Sequence, residues 1–173
     1  MTTKPKYHFN WGLLGNLDLG RPNLGPTSRL EVYRLLQFSL RDILERQMGT
    51  EKTDQIFHEA GKLAGSQFYE HVLDRVTDFD VFIKHIQSAF KDLGIGIFRV
   101  EQADLEAKSF IFTVSEDLDC SGLPELDYVI CTYDEGFIAG LLESFAGIAF
   151  VVKEVDCWCT GARTCRFTAK AVA

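Results

Sequence analysis

The chain has 173 residues, a formal net charge of −7 and 46% hydrophobic residues, which is material for one domain around a single core. The negative balance argues against a nucleic-acid surface, which needs clustered Lys and Arg, and no polybasic segment is present to meet anionic lipid. The longest apolar run, Ile148-Ala-Phe-Val-Val152, is too short to span a bilayer, and the segment from Met1 to Lys6 lacks an apolar signal core. These features predict a cytoplasmic protein, in which thiols stay reduced.

Residues 1–28 read as an irregular N-terminal arm, punctuated by Gly15, Gly20, Pro22, Gly25 and Pro26. Trp11, Leu13, Leu14, Leu17 and Leu19 are too apolar for a free tail, so the arm is expected to pack on the domain or on a second copy. The domain proper is residues 29–173. Ser28 is positioned to cap a helix running to about Met48, with Leu30, Tyr33, Leu36, Leu40, Ile43 and Leu44 at helical spacing. Gly49 stops it. A second helix starts at Thr53 or Asp54 and runs through about Val76, with Gly61 and Gly65 four apart, a spacing that lets another helix approach closely. Asp80 caps a third helix, which Gly94 ends.

There the period changes from helical to alternating. Ile95–Val100 and Ala107–Glu116 read as a hairpin, with Phe110, Phe112 and Val114 on one face. Residues 117–127 form an acidic stretch, and Glu116-Asp117-Leu118-Asp119 reads most simply as a solvated loop. A helix follows from about Cys131 to Phe145, thinned on one face by Gly136 and Gly140. Phe150–Cys157 and Thr164–Ala171 form a second hairpin, whose last strand alternates Cys165, Phe167 and Ala169 against Arg166, Thr168 and Lys170. Three helices, a hairpin, a helix and a hairpin define an α+β fold with an antiparallel sheet.

No Gly-x-Gly-x-x-Gly, P-loop, Gly-x-Ser-x-Gly or His-Glu-x-x-His motif occurs, and His8, His58, His71 and His85 are scattered without a nucleophile beside them. The sequence therefore names no catalytic residue. The chemistry concentrates elsewhere, in Cys131, Glu154, Cys157 and Cys165. Two thiolates and a carboxylate within twelve residues, with Cys131 from a separate element, suit a tetrahedral zinc site. Buried core thiols and a Cys157–Cys165 disulfide remain open alternatives. Cys159 is an alternative ligand, and Cys120 reads as a loop or core residue. With four protein ligands the metal has no corner left for water, so it would be structural, pinning the last hairpin to the element carrying Cys131.

The stretch Glu154-Val-Asp-Cys157-Trp-Cys-Thr-Gly161-Ala-Arg-Thr-Cys165-Arg-Phe167 resembles the closing motif of the 4-vinyl reductase domain family. That family includes the sensor domains of phenol- and xylene-responsive activators, several of which hold zinc with the spacing Cys-x22-Glu-x2-Cys-x7-Cys. Cys131, Glu154, Cys157 and Cys165 reproduce it without a gap; Cys159 departs from it. The resemblance extends from about Leu30 onward and implies a fold similar to the small subunits of the TRAPP tethering complex, which dimerise. It also implies a pocket for a small hydrophobic or aromatic molecule, for which Phe110, Phe112, Tyr133 and Phe137 are the candidate lining. The His and Trp that orient a phenol hydroxyl in such sensors have no clear counterpart, Phe110 standing about where the Trp would be. The haem signature Tyr-x-Ser-x-Arg of the α-then-β nitric oxide sensors is absent too. The expected function is thus a zinc-stabilised, dimeric sensor domain acting through a partner protein. Alternatives are an accessory protein in tetrapyrrole vinyl-group reduction, dependent on a partner reductase, and a TRAPP-like assembly adaptor.

Overall fold

The computed structural model describes residues 6–172; the first five residues of the N-terminal arm lie outside the described residues. The order is α1 (Leu17–Gly20), α2 (Leu30–Met48), α3 (Thr50–His71), α4 (Phe79–Asp92), β1 (Ile97–Asp104), β2 (Ser109–Ser115), α5 (Thr132–Ala146), β3 (Phe150–Asp156) and β4 (Cys165–Ala171). Helices precede a four-stranded antiparallel sheet, as the change of period implies. The two hairpins join edge to edge through β2 and β4, giving strand order β1-β2-β4-β3.

One face of that sheet is dry. Phe98, Phe110, Phe112, Val114, Phe150, Val152, Glu154, Cys165, Phe167 and Ala169 are all buried. On the other face Thr113, Arg166 and Thr168 are half-buried, while Lys153 and Lys170 are exposed. A bulge at Val155 breaks the β3–β4 register between Glu154 and Asp156. In a regular strand residues three apart point to opposite faces; the extra residue lets Glu154 and Cys157 both turn inward.

α5 packs between α3 and β3. Its pairing with α3 depends on four glycines. A Cβ on Gly61 would stand 2.0 Å from the carbonyl oxygen of Tyr133, and one on Gly65 2.1 Å from that of Phe137. Reciprocally, a Cβ on Gly136 would meet the His58 carbonyl at 2.0 Å and one on Gly140 the Lys62 carbonyl at 2.2 Å. The two backbones touch, so the Gly61/Gly65 spacing marks a helix crossing. Between helices and sheet lies a continuous aromatic core. Phe137 meets Phe90 at 5.9 Å, Phe90 meets Phe98 at 5.4 Å, Phe98 meets Phe112 at 5.1 Å and Phe112 stacks on Phe110 at 5.6 Å.

Several boundaries move for local reasons. α2 begins at Leu30 behind Arg29, and no side chain caps it, so Ser28 does not have that role. α3 starts at Thr50, directly after Gly49 in a left-handed conformation (φ 83°), and the Thr53 hydroxyl donates back to the Gly49 carbonyl at 2.9 Å instead of opening the helix. It ends at His71, because Asp74 and Arg75 turn left-handed and the Tyr69 hydroxyl closes the turn on the Val76 carbonyl. Asp78, not Asp80, caps α4, accepting from the amide of Val81. The acidic stretch is not solvated: Asp117 and Asp119 are buried, each tied by hydrogen bonds described below.

The N-terminal arm reaches the domain through Trp11, which stacks on His71 at 5.0 Å and donates its amide to Gln67. Leu13, Leu14, Leu17 and Leu19 stay exposed. The α2 stripe does not turn fully inward either. Leu30, Leu36, Leu40 and Ile43 are exposed, because α2 lies on one side of α3 and the described residues place nothing over its other side.

Candidate functional site

Four sulfurs converge under the end of the sheet. The Sγ atoms of Cys120, Cys131, Cys157 and Cys165 all lie within 4.8 Å of one another, and all four residues are buried. Cys131 and Cys157 are 3.8 Å apart and Cys120 and Cys165 3.0 Å. Each comes from a different place: Cys120 from the loop before α5, Cys131 from the residue preceding α5, Cys157 from the end of β3, and Cys165 from the start of β4. Such a group can hold a metal ion, and its donor set is the soft, compact one that tetrahedral thiophilic ions take.

Cys120 is the member that reading the sequence missed. The Asp117 carboxylate accepts from the amides of Asp119 at 2.8 Å and Cys120 at 3.0 Å, a turn that aims the loop inward. Asp119 is gripped from α2 by the Tyr33 hydroxyl and the Gln37 amide, both at 2.7 Å. Arg34 donates to the carbonyls of Leu118 and Ser121 at 2.9 Å. The available signal was an Asx turn, Asp117-x-x-Cys120, with Gly122 behind it.

Glu154 lies against the sulfurs. Its Oε2 accepts from the Cys131 amide at 3.2 Å, while Oε1 is buried and has no hydrogen-bond partner among the described residues. Its own amide donates to Glu135 on α5 at 2.8 Å, which satisfies the free edge of β3. Cys159 is buried but stands outside the sulfur group; its carbonyl accepts from the Leu126 amide. Trp158 closes the same side, donating to the Leu123 carbonyl at 2.8 Å beneath the Arg163 guanidinium.

The electrostatics is that of several acidic groups sharing one dry space. Hydrogen bonds from Cys120 first, then Cys131 and Cys165, hold the Cys157 thiol well below the usual range. The thiols of Cys131 and Cys165 are pushed up, the Cys120 contact being the largest cause for each. Without a cation, the group thus shares one thiolate. Burial first, then the charge on Cys157, pushes Glu154 up to about 9. Burial first, then Asp119, pushes Asp117 up to about 7. Buried like charges either bind a proton or need a cation between them.

A buried arginine sets the approach of α5 to this centre. Arg41 donates to Glu45 and Asp54 at 2.8 Å and to the Thr132 hydroxyl at 2.9 Å, and stacks over Phe57. It ties α2, α3 and the first residue of α5 together, one position after Cys131.

Beside Arg41 an apolar cleft of about 230 Å³ opens between α2, α3 and α5. Tyr33, Leu36, Gln37, Leu40, Leu44, Ile56, Phe57, Ala60 and Tyr133 line it. Of the four residues expected to line a pocket, Tyr133 stands in this cleft and Phe137 stacks behind it at 6.3 Å. Phe110 and Phe112 lie in the aromatic core under the sheet. Tyr33 and Gln37 serve both places, lining the cleft and holding Asp119 next to Cys120. Replacing Tyr33 by phenylalanine is therefore expected to cost about 1–3 kcal/mol, because it strands a buried carboxylate oxygen. Denaturant unfolding of the variant checks this, and an unchanged midpoint would contradict the grip on the loop.

The segment carrying this architecture has relatives. Residues 110–171 match the family model of the vinyl-4-reductase domain. The C-terminal part of this chain is a vinyl-4-reductase domain. It supplies Phe110, Cys131, Glu154, Cys157 and Cys165, and the helices before it complete the fold. A vinyl-4-reductase family protein from Methanocaldococcus jannaschii superposes with a TM-score of 0.60 at 18% identity, covering 86% of this chain and 85% of that one. The phenol-responsive sensory domain of the transcription activator PoxR, solved with phenol, gives a TM-score of 0.60 at 16% identity over 77% of this chain and 71% of its own. Subunit 3 of a trafficking protein particle complex from Naegleria fowleri, covalently bound to palmitic acid, gives 0.64 at 15% identity over 83% and 95%. The vinyl-4-reductase fold, shared with these TRAPP subunits, is thus the fold of this chain.

Proposed function

We propose that this vinyl-4-reductase-domain protein is a small-molecule sensor domain that takes a small hydrophobic or aromatic ligand and reports it to a partner protein. The observation that carries the reading is the apolar cleft at Tyr33, Leu40, Phe57 and Tyr133. Its volume exceeds the cavity of about 150 Å³ that accepts benzene in an engineered core. The likeness to a phenol-responsive sensory domain and to a palmitate-bound TRAPP subunit supports the same ligand class. Tyr133 and Phe137 form the inner wall, and Phe110 and Phe112 continue it into the core.

The second part of the proposal is a structural zinc at the cysteine group. The donor chemistry fits: buried sulfurs at tetrahedral spacing, with a buried carboxylate oxygen beside them that lacks a partner. Cys131, Cys157 and Cys165 would hold it, with a fourth donor from this chain. A zinc closed by four protein ligands supplies no catalytic water, and these residues make no case for an enzyme. Its role is to clamp the loop before α5, the start of α5 and both strands of the second hairpin.

The third part is assembly as a homodimer in a reducing cytoplasm. The exposed apolar side of α2, with Val32, Leu35, Leu36 and Ile43, offers a second copy a continuous surface beside the mouth of the cleft. The same face gives specific support to the adaptor alternative, in which a different protein covers α2 and the cleft stays empty.

Calorimetric titration with phenols, alkylbenzenes and medium-chain fatty acids separates these readings. At least one compound is expected to bind, and Ala60→Trp, which fills the cleft from its exposed rim, should weaken that compound by at least about tenfold, or 1.4 kcal/mol. Equal binding by the variant would place the ligand elsewhere. No binding by any compound leaves the adaptor reading standing.

A further inference from the structure

We propose that the metal centre is an all-thiolate one, with Cys120 as its fourth ligand and Glu154 outside the coordination shell as a hydrogen-bond partner. This rests on the metal reading above and goes beyond it in naming the ligand set. The sequence pattern alone selects Cys131, Glu154, Cys157 and Cys165. The folded chain instead brings a fourth sulfur into the compact group, from a loop that the pattern does not include.

Three observations converge. The first is distance. A tetrahedral zinc with Zn–S of about 2.3 Å separates its sulfurs by about 3.8 Å, and Cys131 and Cys157 stand 3.8 Å apart. Cys120 lies 3.0 Å from Cys165, well inside the group. The second is preparation. Cys120 is fully buried, and its loop is held by Asp117 from within and by Tyr33, Gln37 and Arg34 from α2. A thiol placed so firmly among three others is positioned as a ligand. The third is the occupation of Glu154. One oxygen already accepts from the Cys131 amide, and the carboxyl is within hydrogen-bonding reach of the Cys157, Cys165 and Cys131 thiols. It therefore acts on the ligands and does not replace one. Zinc prefers thiolate where both donors are at hand, and four sulfurs also suit iron, whereas they disfavour magnesium and calcium.

The test is zinc X-ray absorption on the full chain, purified reduced and without a metal-affinity tag, together with the variants Cys120→Ser and Glu154→Gln. The parent is expected to show four sulfurs and no oxygen in the first shell. Glu154→Gln should keep all four, with zinc affinity reduced by about 10–100-fold, as for an outer-shell partner. Cys120→Ser should lose one sulfur or the metal, with the larger drop in affinity. Three sulfurs and one oxygen in the parent, or an unchanged shell in Cys120→Ser, would overturn the assignment. The parent spectrum decides even where the serine variant does not fold. A fully reduced parent that takes up no zinc removes the metal reading itself, an outcome distinct from a loaded centre with the wrong shell.

Discussion

Alanine at Gly140 is expected to destabilise the protein by about 3 kcal/mol or more, the upper part of the overpacking range. On an open helix the sign would be the opposite, since alanine is favoured over glycine by about 0.8–1.0 kcal/mol. Here the new methyl would stand 2.2 Å from the Lys62 carbonyl oxygen and 3.0 Å from the Ser66 amide nitrogen. Both are backbone atoms of α3, so no rotamer change relieves the contact and the two helices must separate. Separation opens the interface at Gly61, Gly65 and Gly136 together and loosens α5 from β3. At about 2–4 °C per kcal/mol for a chain of this size, the melting midpoint should fall by roughly 6–12 °C. Gly65→Ala should behave alike, its methyl 2.1 Å from the Phe137 carbonyl. Gly20→Ala in α1, with nothing within 4 Å, is the control and should be close to neutral. Calorimetric or denaturant unfolding of the three variants gives the answer. A Gly140 variant as stable as the control would mean that α3 and α5 do not cross at backbone contact.

Removal of the metal should have an effect of similar or greater size, concentrated in one half of the molecule. Structural zinc binding contributes about 10–16 kcal/mol in zinc-finger peptides, where metal and fold are inseparable. This domain has its own aromatic core, so the loss should be smaller and the helical half should persist. A strong chelator under reducing conditions, or Cys157→Ser, is expected to lower the midpoint by at least about 10 °C, equivalent to a few kcal/mol. Hydrogen exchange should show where. Amides of residues 117–131, β3 and β4 should lose protection first, because the four sulfurs join those segments to one another. The α3–α5 crossing should hold, since its stability comes from backbone contact. An unchanged midpoint in metal-depleted protein would show that the cysteines are core residues and carry no metal.

Much of the fold was legible because it is local. The change from helical to alternating period near Ile95 placed the helices before the sheet. Both hairpins and α5 lie within a few residues of where alternation and glycine punctuation put them. The Gly61/Gly65 and Gly136/Gly140 pairs announced a close approach. What periodicity could not supply was the exterior of α2: an apolar stripe reads the same whether it faces a core, a cleft or a second copy of the chain. The acidic stretch misled for a related reason. Asp117 and Asp119 look solvated as residue types, yet both are buried by partners some 80 positions away on α2 and by their own turn.

By itself, then, the sequence determined the α+β order, the helix crossing and three sulfurs of the centre: Cys131, Cys157 and Cys165. These depend on spacing along the chain, and spacing survives translation into structure wherever neighbouring residues share an element. Only the tertiary structure decided that β2 pairs with β4, that the bulge at Val155 turns Cys157 inward, that Cys120 joins the sulfurs, and that Tyr33 and Gln37 connect them to the cleft. Each of those brings together segments distant in the chain. Such proximity is set by the packing of layers and carries no period for a sequence to display.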